Sequence, residues 1–144
     1  MTQSPIWTFF YGSNINLDVL QKVNYEPTKT EVAVLSGFDI QIAPLANLTR
    51  TESGCVYGII ANGTHDELER LYGDYVQAEL GATYLPEAVL CTTLAGAYVP
   101  ALCYIAPQMN QTPPTDAYLK RIVDPARDLG FPSWYLDKLL SFGA

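Results

Sequence analysis

Charge is scarce in this sequence, and what there is leans one way. Charged residues make up 16% of the 144 residues, and eight Lys and Arg stand against fifteen Asp and Glu, a net charge of −7. The basic residues are scattered between Lys22 and Lys138. The chain therefore lacks the cationic cluster from which nucleic-acid binding draws its affinity. It also lacks any uninterrupted apolar run approaching the roughly 20 residues that span a bilayer. Its start shows no basic segment leading into a long apolar one. Nucleic acid and membrane are both set aside as partners.

Histidine and cysteine are almost as sparse. His65 is the only histidine, so multi-histidine metal sites are excluded and any Ser–His or Cys–His mechanism would have to use it. Its setting argues against that: in Thr64-His65-Asp66-Glu67, Thr64 reads as a helix N-cap and Glu67 as its reciprocal partner, which leaves His65 on an exposed first turn. Ser13 is thus a poor candidate for a hydrolase nucleophile. The three cysteines, Cys55, Cys91 and Cys103, sit in apolar strand-like segments, where free thiols pack as small hydrophobes. An odd count without zinc-site spacing points to a reducing, cytoplasmic setting and to no metal.

What the sequence does have is apolar and aromatic content: 49% hydrophobic residues and ten tyrosines. That is enough for one ordinary core, so a single domain over 1–144 is expected. The low surface charge makes a self-associating face, and hence a homodimer, plausible. Strands are expected at Ile6–Tyr11, Glu31–Leu35 and Phe38–Ile42, with Gly37 as a bulge, and at Gly54–Ile60. A hairpin is expected over Glu87–Leu94 and Tyr98–Ile105, turned near Gly96. Helices are expected from about Thr64 to Tyr72, from Thr115 to Leu129 with a kink or break at Pro125, and after Pro132. The stretches after Tyr72, over Asn47–Ser53 and over Gln108–Thr112 read as irregular.

The most informative local feature is the first strand running into Tyr11-Gly12-Ser13-Asn14, followed by a short helix that Asn16 can cap. Such a junction directs unpaired backbone N–H groups at one spot, so a carboxylate can bind there without a lysine.

Several scattered pieces share one explanation. The Tyr11-Gly12-Ser13-Asn14 turn, the strand Val56-Tyr57-Gly58-Ile59, the leucines Leu68 and Leu71, Tyr84 before a hairpin and Tyr104 within it occur in an order that resembles the gamma-glutamylcyclotransferase-like superfamily. So does the ending, with Pro113-Pro114, Tyr118, Ala126, Gly130, Pro132 and Tyr135. The resemblance implies an α+β fold, a small mixed, partly closed β-barrel with flanking helices. It also implies a cofactor-free reaction: the α-amine of a small gamma-glutamyl substrate attacks its own γ-carbonyl, releasing 5-oxoproline and an amine or amino acid. Orientation supplies much of such a rate, and one carboxylate acting as base and then acid supplies the rest.

By the same resemblance Tyr11, Gly12, Ser13 and Asn14 embrace the substrate, and Tyr84 and Tyr118 reach its polar ends. The base is the unsettled part. In the family it belongs to a Leu-Asp-x-x-Glu-Gly motif, and the count from Leu71 lands on Tyr75. Three readings stay open: Glu79 supplies the carboxylate from a rebuilt loop, Asp74 does, or Tyr75 stands in the catalytic position and the domain binds its ligand or does different chemistry.

Overall fold

A computed structural model describes residues 5–143 of the chain. Five strands, β1 (Ile6–Phe10), β2 (Thr30–Ile42), β3 (Ala46–Gly63), β4 (Leu85–Thr93) and β5 (Tyr98–Ile105), form a closed barrel in the order β1-β3-β2-β4-β5. The pair β1/β5 is parallel and the others are antiparallel, which makes the barrel mixed. The expected barrel is present, and it closes fully. Two short seams do this: Thr8 and Phe9 of β1 meet Leu102 and Cys103 of β5, and Ala33 and Val34 of β2 meet Thr93 and Thr92 of β4.

The glycine of Val56-Tyr57-Gly58-Ile59 has a steric role where β3 packs against β1. A Cβ at Gly58 would collide with the Phe10 carbonyl oxygen and come within 2.8 Å of the Phe9 ring. β1 can lie close on β3 only because that position carries no side chain. On β2 the register shifts between Ser36 and Phe38, the bulge expected at Gly37.

β3 begins earlier than its sequence suggests. Asn47–Ser53, expected to be irregular, is strand, paired through Asn47↔Gln41 and Leu48↔Ile40 to the far half of β2. Thr49, Arg50, Glu52 and Ser53 along it are exposed, Asn47 is half-buried and bonded both ways to the Ala106 backbone, and Ala46 and Leu48 are buried.

Helices cover the barrel. α1 (Leu17–Gln21) is capped by the Asn16 side chain, which accepts the Asp18 N–H at 3.0 Å. α2 (His65–Glu69) opens on the expected Thr64–Glu67 capping box, a device that contributes about 1 kcal/mol, and His65 is exposed. The helix does not then dissolve into a loop. It widens into a π-helical stretch over Arg70–Gln77, with the Ala78 N–H reaching back five residues to the Gly73 carbonyl, and ends in α3 (Ala78–Leu80).

α4 (Asp116–Asp128) is capped by Thr115 and buries Leu119, Ile122, Val123 and Ala126. It runs unbroken through Pro125, so of the kink or split expected there the split does not occur. The carbonyl that Pro125 leaves without a partner belongs to exposed Arg121 and can be hydrated, and the apolar face holds the helix to the barrel. α5 (Ser133–Leu140) follows Pro132 and sets Tyr135 against Tyr57 of β3, ring centroids 5.1 Å apart.

All three cysteines are free. Cys91 faces Val99 and Cys103 faces Glu87 across the hairpin, so the two thiols sit four register positions apart. Among the described residues no helix is long and apolar enough to cross a membrane.

Candidate ligand pocket

β1 delivers the chain to a pocket at the barrel mouth. After Phe10 the backbone leaves the sheet, and Ser13–Ile15 form a single tight turn whose first internal hydrogen bond runs from the Ile15 N–H to the Gly12 carbonyl, 3.2 Å. The N–H groups of Ser13 and Asn14 precede that bond and have no partner within the turn. Gly12 packs against Ala46, the first residue of β3; a Cβ on Gly12 would stand 2.8 Å from the Ala46 Cβ. The turn can therefore approach β3 only as glycine.

Tyrosines build the other walls. Tyr84, just before β4, donates its hydroxyl to the Ala46 carbonyl, and Tyr118 on α4 accepts the Ala46 N–H at 3.0 Å, so one residue of β3 is held from both sides. Tyr11 donates to the Tyr104 carbonyl at 2.7 Å. Tyr72, from the π-helical stretch, lies flat on Tyr104. Val76 and Leu80 follow it at four-residue spacing on the same side, and Leu45 closes the mouth. A cavity of about 30 Å³ is left among these groups, room for about one or two waters.

The electrostatics of the pocket are those of neutral phenols. Burial pushes Tyr11 and Tyr72 well above the ordinary phenol range and raises Tyr84 and Tyr118 as well. The neighbouring Asn14 amide opposes the shift at Tyr72; the Ala46 N–H and the Ser13 side chain oppose it at Tyr118. None of the four is ionised near neutrality, so none can take a proton as a base. One acceptor stands out: the Asn14 side chain hydrogen-bonds Tyr72, yet its Oδ1 is buried with no hydrogen-bond partner among the described residues. No Asp or Glu lines the cavity.

The expected site residues divide accordingly. Tyr11, Gly12, Ser13, Asn14, Tyr84 and Tyr118 all line the pocket, and Tyr104 supports it from behind through its carbonyl and its ring. Tyr75 does not line it. That side chain is buried toward α1, where Lys22 Nζ lies 5.6 Å from its ring centroid. Glu79 and Asp74 are exposed and line no part of the cavity, so neither is delivered to the spot where a base was expected.

The residue that sequence reasoning missed is Tyr72, and the signal was present. Counted from Leu68 in place of Leu71, the motif reads Leu68-Glu69-Arg70-Leu71-Tyr72-Gly73, which keeps the acidic second position and the terminal glycine and sets Tyr72 where the family resemblance puts glutamate. The geometry selects this count, because Tyr72 faces the Asn14 side of the pocket and Tyr75 does not.

No protein-family model matches the chain, and no curated protein matches it in sequence. Solved structures do match. An uncharacterized human protein superposes with a TM-score of 0.79 at 20% identity, over 95% of this chain and 87% of that one. A structure described as a gamma-glutamyl cyclotransferase gives 0.77 at 21%, over 94% and 86%. A yeast gamma-glutamyl cyclotransferase specific to glutathione gives 0.66 at 13%, over 97% and 96%. Its closed mixed barrel and covering helices agree with these structures: this chain has the gamma-glutamylcyclotransferase-like fold.

Proposed function

We propose that the pocket at the end of β1 is the site for the amino-acid head of a small gamma-glutamyl compound, admitted when the half-buried Leu45 and Leu80 side chains move aside and widen a cavity that otherwise has room for about one or two waters, and that the domain binds it without carboxylate-driven cyclisation. The observation that carries this reading is the partnerless, buried Asn14 Oδ1 beside Tyr72. An unsatisfied acceptor costs about 1–3 kcal/mol. It calls for a donor such as the α-ammonium of the ligand, while the Ser13 and Asn14 N–H groups suit its α-carboxylate. Acceptor and donors a few atoms apart match a zwitterion better than a simple anion.

What the pocket lacks bears on the chemistry. Cyclisation needs the ammonium to lose a proton and the leaving nitrogen to gain one. With Tyr72 neutral and no carboxylate lining the cavity, the proton has no acceptor of suitable pKa. Calorimetric titration with L-γ-glutamyl methylamide tests the binding. Saturable heat is expected, weakened about tenfold or more by Asn14→Ala; no heat, or equal affinity in that variant, would overturn the assignment.

A second reading has its own support in the names of two structural neighbours, a gamma-glutamyl cyclotransferase and a glutathione-specific one. In it the chain is a cofactor-free enzyme that releases 5-oxoproline from a gamma-glutamyl amine or amino acid, with Glu79 as base and then acid. It requires the exposed Glu79 carboxylate on α3 to swing past Leu80 into the pocket when ligand binds.

A further inference from the structure

The cavity is far smaller than the groove it opens toward. Outside it lies a groove of about 570 Å³. Leu45 and Leu80 line both spaces, so these two half-buried side chains form the neck between them. Beyond the neck the groove runs between the end of α3, the segment before β4, and the irregular segment after β5.

Its chemistry is specific in one respect. No described residue lining it carries a charge. The side chains of Thr83, Gln108 and Asn110 make no hydrogen bond to other described residues, so their amide and hydroxyl groups are open to a guest. Leu45, Leu80, Pro107 and Met109 supply apolar contact between them. The neck gives a ligand whose head occupies the inner pocket a route by which whatever is attached to the γ-carbonyl reaches this groove.

We infer that the groove is the tail subsite of the same ligand, and that it selects an uncharged amide or alkyl tail over one ending in a free carboxylate. The inference rests on the reading of the inner pocket given under Proposed function. Its physical basis is desolvation: a carboxylate entering the groove gives up hydration and meets no cation in return, in a chain whose net charge of −7 already repels it. An alkyl tail gains from covering Leu45, Leu80 and Met109, and an amide finds partners in Thr83, Gln108 and Asn110.

Three probes separate the two ideas by calorimetry on the full chain. L-γ-Glutamyl methylamide reports the head alone, L-γ-glutamyl butylamide adds an uncharged tail, and γ-glutamylglycine adds a carboxylate. The expected order is butylamide tightest, with γ-glutamylglycine at least about tenfold weaker. Gln108→Arg should shift that ratio toward γ-glutamylglycine by about fivefold or more, because it places a cation in the groove. If the methylamide binds but γ-glutamylglycine equals or exceeds the butylamide, or if Gln108→Arg leaves the ratio unmoved, the tail subsite is wrong and the head pocket stands. If no probe binds, both fall.

Discussion

Tyr72 lies on Tyr104 with ring centroids 3.8 Å apart and planes 9° from parallel. The stack joins the π-helical stretch to β5 and holds the Tyr72 hydroxyl at the Asn14 wall of the pocket. Where the family resemblance puts a carboxylate, this chain has an aromatic ring fixed by packing.

Replacing that ring with the missing group is the first prediction. Tyr72→Glu should produce 5-oxoproline from gamma-glutamyl amides at least about a hundredfold above the unaltered chain, within the range a positioned acid–base group contributes. It should also cost about 1 kcal/mol or more of stability through loss of the stack and burial of a carboxylate. A folded, ligand-binding Tyr72→Glu protein with no gain in product would show that the pocket does not align the α-amine with the γ-carbonyl.

The clamp on Ala46 makes a second. Tyr84→Phe and Tyr118→Phe each remove one hydrogen bond to that residue's backbone and should each lower stability by about 1 kcal/mol in urea unfolding. Because both grip the same peptide, their effects should couple by about 0.5 kcal/mol or more in the double variant. Strict additivity would mean that Ala46 is held by the sheet and not by the tyrosines.

Steric fit between the turn and β3 gives the third. Gly12→Ala places a methyl group 2.8 Å from the Ala46 Cβ and should weaken ligand binding by displacing the turn. Ala46→Gly removes the opposing methyl and should restore much of the loss in the double variant. If Gly12→Ala binds as well as the unaltered chain, the close approach does not set the pocket's shape.

How much of this was legible in the sequence differs between fold and site. The bulge at Gly37, the Thr64–Glu67 box, the Thr115 cap and the hairpin are written in short-range patterns, and each appears in the structure. Asn47–Ser53 was not legible as strand, because its polar residues are strand only through pairing with β2, a long-range fact that local propensity does not carry. The site turned on a three-residue choice between Leu68 and Leu71. Both leucines are buried at helical spacing, so the sequence alone offered two frames for one motif. Which tyrosine reaches the pocket is decided by the widened helix after Glu69, and a π-helical stretch has no periodicity signal of its own in an eight-residue window.

The buried phenols predict a pH response. Tyr11 and Tyr72 have folded-state values raised above those of the unfolded chain by burial, so the native state holds their protons more tightly. Below about pH 10 both states are protonated and this contribution is fully present; as pH rises beyond it the unfolded chain ionises first and stability falls by up to about 1.4 kcal/mol per pH unit for each phenol. Urea midpoints should therefore be flat with respect to these groups near pH 8 and drop above about pH 10. Tyr72→Phe should soften the drop. A stability that rises through that range would contradict neutral, buried tyrosines.

Binding of a gamma-glutamyl head without turnover is what the proposed function asks of this pocket. The measurement that meets it most directly is release of 5-oxoproline from L-γ-glutamyl methylamide by the unaltered chain and by Glu79→Gln, with ligand-dependent thermal stabilisation recorded on the same samples. Both proteins should be stabilised, and neither should release 5-oxoproline above the uncatalysed rate. Turnover by the unaltered chain that disappears in Glu79→Gln would contradict this and identify the exposed carboxylate of α3 as the base.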